Sequence, residues 1–360
     1  MSIILTLLVF TIIVVIHEWG HFIMARHHGI RVEEFAIGMG PALWKHKTKK
    51  DMIFSVRLLP IGGFCKMKGE EPEEGQEADE DSFTAKSPGA RASVAAAGPI
   101  MNFILAFVLL LIFNLCYGYA DTEVQSVEAD YPAMQAGLEA GDRIVQLNGE
   151  RIHVYNKISF LLMNYQADEE VELVVEKADG SEKTLRFPLR YDEENQRYRM
   201  GFTAGKSGGI GEQIAKKGFF KAVWDMLSQS FWYLCFEVEL TIRSFAMLFT
   251  GKIGLDAVAG PIGMVSVVGE TYQAAASYGI MAILSSMSSL MVLLSANLGV
   301  LNLFPVPGLD GSRLVFLGLE KIRKKPLNPK LENTIYLVGF ILLFGLMAVV
   351  ALNDVLRLFQ

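Results

Sequence analysis

Four apolar segments constrain the fold of this chain most strongly. They are residues 3–25, 94–117, 280–304 and 335–355. A helix that crosses the hydrocarbon core of a bilayer needs about 20 apolar residues, so each segment is long enough, or nearly so, to span a membrane. Hydrophobic residues make up 51% of the 360 positions and charged residues 20%, and the apolar excess is concentrated in these blocks. The sequence therefore predicts a polytopic α-helical membrane protein with four transmembrane helices.

A further apolar segment, residues 219–249, is interrupted by charged side chains. Asp225, Glu237, Glu239 and Arg243 lie among its aromatic residues. Charges are costly inside a spanning helix, whereas a helix at the membrane surface keeps them in water. This pattern predicts amphipathic helices that lie at the membrane surface.

Basic residues predict the orientation of the chain. Lysine and arginine are frequent in residues 26–91 and again in residues 321–330. Short segments rich in these residues stay on the cytoplasmic side of the membrane. With four spans, residues 120–278 then lie on the opposite, extracytoplasmic side, because long domains are translocated largely regardless of their charge.

The remaining bulk properties exclude other classes of protein. The net charge of −6 comes largely from acidic runs such as residues 70–81, interpreted as a solvated loop, and it argues against nucleic acid as a partner. Cys65, Cys116 and Cys235 have unrelated spacings. The sequence therefore predicts neither a disulfide framework nor a thiolate zinc site.

Two histidines and a glutamate interrupt the first apolar segment as HEWGH, residues 17–21. On a helix, His17 and His21 project from one face and can share a metal ion, and Glu18 can reach a water on that metal. Zinc suits the site because imidazole is a good ligand and the pKa of a bound water falls to about 7. Glu18 would act as general base. In the alternative interpretation, the histidines only hydrogen-bond neighbouring helices.

A catalytic zinc also needs a third protein ligand and an open fourth position. The third apolar segment ends in SANLGVLNLFPVPGLDGSRL, residues 295–314, where Pro305 and Pro307 stop a helix. Asp310 would then be presented from unwound backbone at the cytoplasmic end of that span, at the depth of His17 and His21. Four histidines lie outside the apolar spans or on the far side of the membrane and are interpreted as solvated surface residues: His27, His28, His46 and His153.

Residues 122–152 contain the turn signals of a small β-rich domain. A proline-led short helix, an AGD turn at residues 140–142, an apolar strand at 144–147 and the turn Asn148-Gly149 follow one another. The pattern PAxxAGLxxGDxIxxxNG resembles bacterial PDZ domains, which bind peptides by adding them as a strand to a sheet edge. A small β-rich domain without a ligand is the alternative.

Taken together, the motifs resemble the site-2 protease family of intramembrane zinc metalloproteases. HEWGH, AGPIMNFILA at residues 97–106, the PDZ-like module, AGPIGM at 259–264 and NLFPVPGLDG at 302–311 occur in the family's order over nearly the whole chain. Within the family, the layout is similar to the bacterial regulator of sigma-E proteases, which cut anti-sigma factors. It departs in one respect, because only one PDZ-like module is visible where well-known Gram-negative relatives carry two.

This resemblance implies roles for individual residues. His17, His21 and Asp310 would be the zinc ligands, and Glu18 the general base. Asn297 and Asn302 match family asparagines that are expected to hold the substrate strand or the oxyanion. Hydrogen bonding between helices is the alternative role for both asparagines.

The family also suggests a role for residues 52–70, which alternate like a strand and turn at Gly62-Gly63. The segment is similar to the family's re-entrant β-hairpin, and a plain cytoplasmic hairpin is the alternative. If re-entrant, its edge would pair with an unwound substrate helix, since a folded transmembrane helix keeps its own carbonyls hydrogen-bonded.

The expected fold is thus a four-helix membrane protein with an inserted extracytoplasmic PDZ-like β/α domain. Its predicted segments are the first transmembrane helix with HEWGH (1–26), a cytoplasmic loop with the re-entrant hairpin (27–92), the second transmembrane helix (93–119), the PDZ domain (120–205), amphipathic interfacial helices and a linker (206–278), the third transmembrane helix with the LDG motif (279–311), a cytoplasmic loop (312–332) and the fourth transmembrane helix (333–356).

The resemblance implies a function in regulated intramembrane proteolysis. The enzyme would use Zn²⁺ to cut within or near the transmembrane segment of a single-span protein, such as a pre-cleaved anti-sigma factor or a signal-peptide remnant. It would lie in the bacterial cell membrane, in contact with lipids and with its active site near the cytoplasmic side. Two alternatives stay open, a non-catalytic PDZ-bearing scaffold and a metal or ion transporter. Glu18 favours hydrolysis, because a conduit has no evident use for it beside the first ligand.

Overall fold

The computed structural model describes residues 2–48, 51–70, 79–163, 165, 169–193, 196–254, 259–325 and 328–357. Most of the predicted acidic loop, residues 71–78, and the lysines at 49 and 50 lie outside the described residues. The chain divides into two compact units. The first comprises Met1–Leu109 and Glu237–Gln360, and the second comprises Leu110–Phe236.

Among the described residues, four helices are long and apolar enough to cross a bilayer, in agreement with the four predicted spans. They are α1 (Ser2–His27), α2 (Pro88–Tyr117), α8 (Ile280–Leu303) and α10 (Pro329–Arg357). Helix α2 begins before its predicted span because its start is well capped. The Ser87 hydroxyl accepts a hydrogen bond from the Ala90 amide at 3.3 Å. Pro88 occupies the first helical position, where the helix does not need the backbone N–H that proline lacks.

Two long strands follow α1, namely β1 (Val32–Lys47) and β2 (Ile53–Met67), paired antiparallel. Residues 53–56 of β2 pair both with residues 44–47 and with residues 34–37 of β1, whereas residues 63–67 pair with 32–37. Each strand therefore bends, so that one part of it pairs with two separate parts of the other strand. At the bend in β2, the hydroxyl of Thr11 on α1 donates to the carbonyl oxygen of Pro60 at 2.9 Å.

Helices α7 (Pro261–Ala276) and α9 (Asp310–Arg323) complete the first unit. Helix α8 ends at Leu303, and Phe304 is extended, because Pro305 and Pro307 cannot continue a helix. Helices α1, α7 and α8 enclose a core of buried apolar side chains: Val9, Ile13, Val268, Leu290 and Leu294. A second core joins α1 and α2 to β1 and β2: Ala25, Ile30, Val32, Phe35, Cys65, Met67, Phe83 and Val94.

The second unit is built on strands. Its elements are β3 (Tyr119–Val127), α3 (Pro132–Gln135), β4 (Arg143–Leu147), β5 (Glu150–Arg151), α4 (Tyr155–Leu162), β6 (Glu170–Glu176), β7 (Glu182–Pro188), β8 (Arg190–Asp192), β9 (Arg197–Arg199), β10 (Phe202–Ser207), α5 (Ile210–Lys217) and the start of α6 (Phe219–Phe249). The main sheet has the order β10-β3-β4-β6-β7, with β5 on β4, and β8 pairs with β9. Buried apolar side chains from this sheet, α3 and α4 form a core of their own.

Turn chemistry explains the motif of the second unit. Asn148 and Gly149 both have positive φ, 51° and 80°, so they form the tight turn that joins β4 to β5. Asp142 of the AGD turn is 2% exposed. Its carboxylate accepts hydrogen bonds from the Glu139 amide and from the Lys177 ammonium, each at 2.9 Å. The motif residues therefore fix the turns of this unit.

Candidate active site

The two histidines of HEWGH lie on the buried face of α1. His17 is 6% exposed and His21 is 7% exposed. Because they are one helical turn apart, their rings meet edge to face, and their Nε2 atoms are 3.1 Å apart. Two nitrogen ligands therefore point at one position beside the helix.

Asp310 reaches the same position from the other end of the chain. It is the first residue of α9, directly after the irregular segment that follows α8. Gly308, at φ +99°, provides the turn that leads into this helix. The Asp310 carboxylate lies 3.1 Å from Nε2 of His17 and 3.4 Å from Nε2 of His21. The structure thus brings together the three ligands that the sequence predicts.

These three residues fit a zinc ion. A tetrahedral zinc shell with bonds of 2.0–2.2 Å separates its ligand atoms by about 3.4 Å. The separations of 3.1, 3.1 and 3.4 Å are close to that value. The donor set of two imidazoles and one carboxylate is that of a catalytic site, which leaves the fourth position for water or substrate. They are the only His, Cys, Asp and Glu group so gathered among the described residues.

A backbone group orients His21. Its Nδ1 atom donates to the carbonyl oxygen of Val94 on α2 at 2.8 Å. This hydrogen bond leaves the lone pair of Nε2 free toward Asp310. Helix α2 therefore holds one of the ligands in the orientation that binds metal.

A cleft of about 490 Å³ opens beside the three ligands. Glu18 lines it next to His17, and Gly63 on β2 passes so close that an added Cβ would lie 3.8 Å from the Glu18 Cγ atom. Further lining residues come from β2, α2, α8, α9 and the segment between α8 and α9, among them Phe64, Cys65, Val94, Asn302, Leu309 and Arg313. The site is therefore a pocket between helices with one strand along its wall.

The two asparagines of the third segment occupy different places. Asn302 lines the cleft. Asn297 is absent from the described lining, and its side-chain oxygen accepts a hydrogen bond from Thr241 on α6 at 2.5 Å. The structure therefore places Asn302 within reach of a substrate and engages Asn297 between helices.

The other histidines lie apart from this cluster. His28 hydrogen-bonds the Ser93 hydroxyl at 2.7 Å, and His153 stacks on Trp232 in the second unit with ring centroids 3.8 Å apart. His27 contacts the ring of His28, and His46 stacks on Trp44. These contacts are consistent with structural roles.

One feature of the site was missed by motif spacing. Gly98 on α2 lies so close to both imidazoles that an added Cβ would sit 2.4 Å from Nε2 of His21 and 2.7 Å from Cε1 of His17. The signal in the sequence is a Gly-Pro pair within an otherwise apolar helix. A glycine there permits close approach of the α2 backbone to the site.

Comparisons with known proteins agree with this geometry. The model of peptidase family M50 matches residues 5–346. A candidate zinc metalloprotease of Fusobacterium nucleatum is 34% identical over an alignment 363 positions long, gaps included, which covers 100% of each chain. The regulator of sigma-W protease RasP of Bacillus subtilis is 29% identical over an alignment 441 positions long, gaps included, which covers 99% of each chain.

Among solved structures, the PDZ domain of the SdrC-like protein from Listeria monocytogenes is similar to part of this chain. The match has 21% sequence identity and a TM-score of 0.22, and it covers 24% of this chain and 88% of that domain. The family match over nearly the whole sequence is the decisive finding. The chain belongs to peptidase family M50 and is a zinc metalloprotease.

Proposed function

We propose that this chain hydrolyses a peptide bond within or near the transmembrane segment of a single-span membrane protein. The observation that carries the proposal is the position of the ligand cluster. His17 and His21 lie in the second half of α1, a helix apolar and long enough to span a bilayer. Hydrolysis at that depth needs a wet cavity enclosed by protein, and the cleft beside Glu18 supplies one.

Each residue of the site has a distinct task in this proposal. His17, His21 and Asp310 hold the metal. When bound, zinc supplies the Lewis acidity that polarises a peptide carbonyl and makes water nucleophilic at neutral pH. Glu18 accepts the proton from the attacking water on its carboxylate and passes it to the leaving amine. Asn302 donates a hydrogen bond to the carbonyl oxygen of the scissile peptide as negative charge develops there.

The wall of the cleft supports a way to hold the substrate. Residues 63–67 of β2 pair on one side with residues 32–37, and residues 64–67 line the cleft. A substrate segment that has unwound from its helix exposes carbonyl and amide groups, and such a segment can pair with a strand edge. Residues in the substrate that destabilise a helix should therefore promote cleavage.

A contact between α1 and β2 supports a re-entrant position for this hairpin. The Thr11 hydroxyl binds the Pro60 carbonyl. Thr11 precedes His17 by six positions, which is about 9 Å along the helix. If α1 spans the bilayer, the bend of β2 at Pro60 lies deeper in the membrane than the ligands, as a re-entrant hairpin requires.

The substrate class and the orientation complete the proposal. The B. subtilis relative carries the name of a regulator of sigma-W, and an anti-sigma factor that another protease has already shortened is the corresponding substrate class. The basic segments favour an orientation with the active site toward the cytoplasm and the PDZ-like module, residues 120–205, outside. That module and surface helices would exclude uncut substrates by size. Exposed side chains on α6 suit an interfacial helix: Phe220, Trp224 and Phe231.

The first test compares Glu18→Gln with the wild type and with Glu270→Gln, a change of an exposed acidic side chain on α7 that is absent from the cleft lining. The full chain is purified in detergent, its zinc content is measured, and a model single-span substrate is offered. We expect Glu18→Gln to keep zinc and fold but to lose cleavage, because the amide cannot accept the proton. Glu270→Gln should cleave normally.

The same assay with Asp310→Ala tests the ligand set. Zinc content and cleavage should fall together, because two imidazoles alone hold zinc weakly. Cleavage by Glu18→Gln would contradict the assigned base, and wild-type zinc in Asp310→Ala would contradict the assigned ligand. Stoichiometric zinc with no cleavage by the wild-type chain would instead favour the scaffold or transporter alternatives.

A further inference from the structure

The second ring nitrogen of His17 faces a side chain of α2. Its Nδ1 atom lies 3.3 Å from Nδ2 of Asn102, which is 0% exposed. The other end of the same amide, Oδ1, is buried and has no hydrogen-bond partner among the described residues. Leaving a buried acceptor unpaired is unfavourable, so this orientation of the amide calls for an explanation.

The hydrogen on the His17 ring explains why this orientation of the Asn102 amide is unsuitable once metal is bound. Nε2 faces His21 and Asp310, so Nε2 is the ligand atom and the single hydrogen of the neutral ring sits on Nδ1. That hydrogen needs an acceptor, yet Nδ2 of Asn102 is also a donor. A half-turn of the amide exchanges Nδ2 and Oδ1, which are similar in size. Oδ1 then accepts from Nδ1 of His17, and Nδ2 takes the place where Oδ1 has no described partner, so the gain lies in the hydrogen bond to the ligand.

We propose that Asn102 is a positioning residue of the metal site, whose Oδ1 accepts a hydrogen bond from Nδ1 of His17 and thereby directs Nε2 at the metal. The inference rests on the proposed ligand set. It assigns to a side chain the task that the Val94 carbonyl performs for His21.

The placement of Asn102 suits this task. Val94, Gly98 and Asn102 are spaced four apart, so they form one stripe along α2 that faces the two imidazoles. Along this stripe, Val94 presents its backbone carbonyl, Gly98 leaves space for the imidazoles, and Asn102 presents its side-chain amide. The backbone of Asn102 is itself fixed, because the buried Ser295 hydroxyl on α8 donates to its carbonyl oxygen at 2.8 Å.

The test measures zinc affinity of the full chain in detergent by competition with a chelator, without reference to cleavage. Asn102→Leu removes the acceptor and should weaken zinc binding about 10- to 100-fold. Asn102→Asp should keep the affinity within about threefold or raise it, because either carboxylate oxygen accepts from Nδ1. Asn114→Leu is the matched control, since it removes another buried amide of α2, one that hydrogen-bonds Ser230 instead of a ligand, and it should bind zinc as the wild type does.

Two results would overturn the proposal. One is wild-type affinity in Asn102→Leu, and the other is an equal loss in Asn102→Asp, since an acceptor would then not be what the site requires. Thermal unfolding of the metal-free proteins shows whether each variant folds, and Asn102→Ala, with the same expected loss, replaces Asn102→Leu if the latter does not. His17→Ala distinguishes a failure of the role of Asn102 from a failure of the proposed ligand set. Wild-type zinc affinity in that variant would contradict the ligand set itself.

Discussion

At the scale of single residues, the metal site depends on the lack of a side chain at position 98. Gly98 lets the α2 backbone approach His17 and His21 more closely than any other residue type would allow. Gly20 likewise lets α1 approach the backbone of α2, because a Cβ there would lie 2.3 Å from the Ala97 carbonyl oxygen. The two helices can therefore meet at the ligands only through these glycines.

Gly98→Ala should displace the imidazoles and lower zinc affinity by at least about tenfold, because the new methyl group would overlap Nε2 of His21. Gly89→Ala is the control, since a Cβ at that position of α2 has nothing within 4 Å. It should raise helix stability by up to about 1 kcal/mol. Chelator competition and thermal unfolding measure both effects, and equal zinc affinity in the two variants would contradict the role of Gly98.

The residues of the site differed in how far the sequence could predict them. His17, Glu18 and His21 form a local motif whose spacing on a helix already states their geometry. Asp310 was predictable because prolines interrupt an apolar segment just before it. Asn102 was not, since a polar residue inside an apolar helix does not reveal from spacing alone which neighbour its amide meets. For Asn297 the structure favours the alternative role between helices.

At the scale of elements, α9 is important because its first residue is the proposed third ligand. One turn later, Arg313 pairs with Glu70, just beyond the end of β2. Near the other end of the helix, Glu320 pairs with Arg91 on α2. These side chains are less than a third exposed, so both pairs are partly shielded from solvent. The two ion pairs fix the helix that presents Asp310.

Arg313→Glu should therefore weaken zinc binding and lower the unfolding temperature, because it places two like charges together beside the cleft. The swapped pair Glu70→Arg with Arg313→Glu should recover part of the loss, with a coupling free energy of about 0.5–3 kcal/mol. Lys47→Glu breaks the exposed pair with Asp51 and should leave the unfolding temperature nearly unchanged. A double variant no better than Arg313→Glu would contradict the pairing.

The AGPIGM motif acquires a structural explanation from α10. Asp354, which is 4% exposed, accepts hydrogen bonds from the amides of Gly260 and Gly263 at 3.1 and 2.9 Å. These amides are free because they belong to the first turn of α7. A Cβ on Gly260 would lie 2.5 Å from the Asp354 carboxylate. The motif thus docks α7 on α10, a contact between residues more than 90 positions apart that no local pattern predicts.

Asp354→Leu should lower the free energy of unfolding by about 1–3 kcal/mol, because two buried amides lose their acceptor. Asp354→Asn keeps one acceptor oxygen and should cost less. Thermal unfolding in detergent ranks the variants. Equal unfolding temperatures for wild type and Asp354→Leu would contradict this account.

For the strands, too, the sequence predicts features set by neighbouring residues but not those set by residues far along the chain. Alternation predicted a strand within residues 52–70, and Asn148-Gly149 predicted a tight turn, since both signals are local. The double pairing of residues 53–56 was not predictable, because alternation defines the faces of a strand but not the number of its neighbours.

At the scale of the whole molecule, the two units have separate cores, and the proposed zinc ligands all belong to the first unit. Asp142→Ala removes the acceptor for Glu139 and Lys177 in the second unit and should cost about 1–3 kcal/mol there. We expect faster limited proteolysis within residues 110–236 but unchanged zinc content. Asp130→Ala, an exposed position of the same unit, is the control. Loss of zinc in Asp142→Ala would contradict the separation.

The distance along the chain between the proposed ligands sets the order in which the site is assembled during synthesis. His17 and His21 are made early, whereas Asp310 follows after α8 has ended. On the proposed assignment, a nascent chain that has inserted α1 carries the base and two ligands but lacks the third. A complete zinc site, and with it proteolytic activity, would then require that residue 310 has been translated and has folded beside α1.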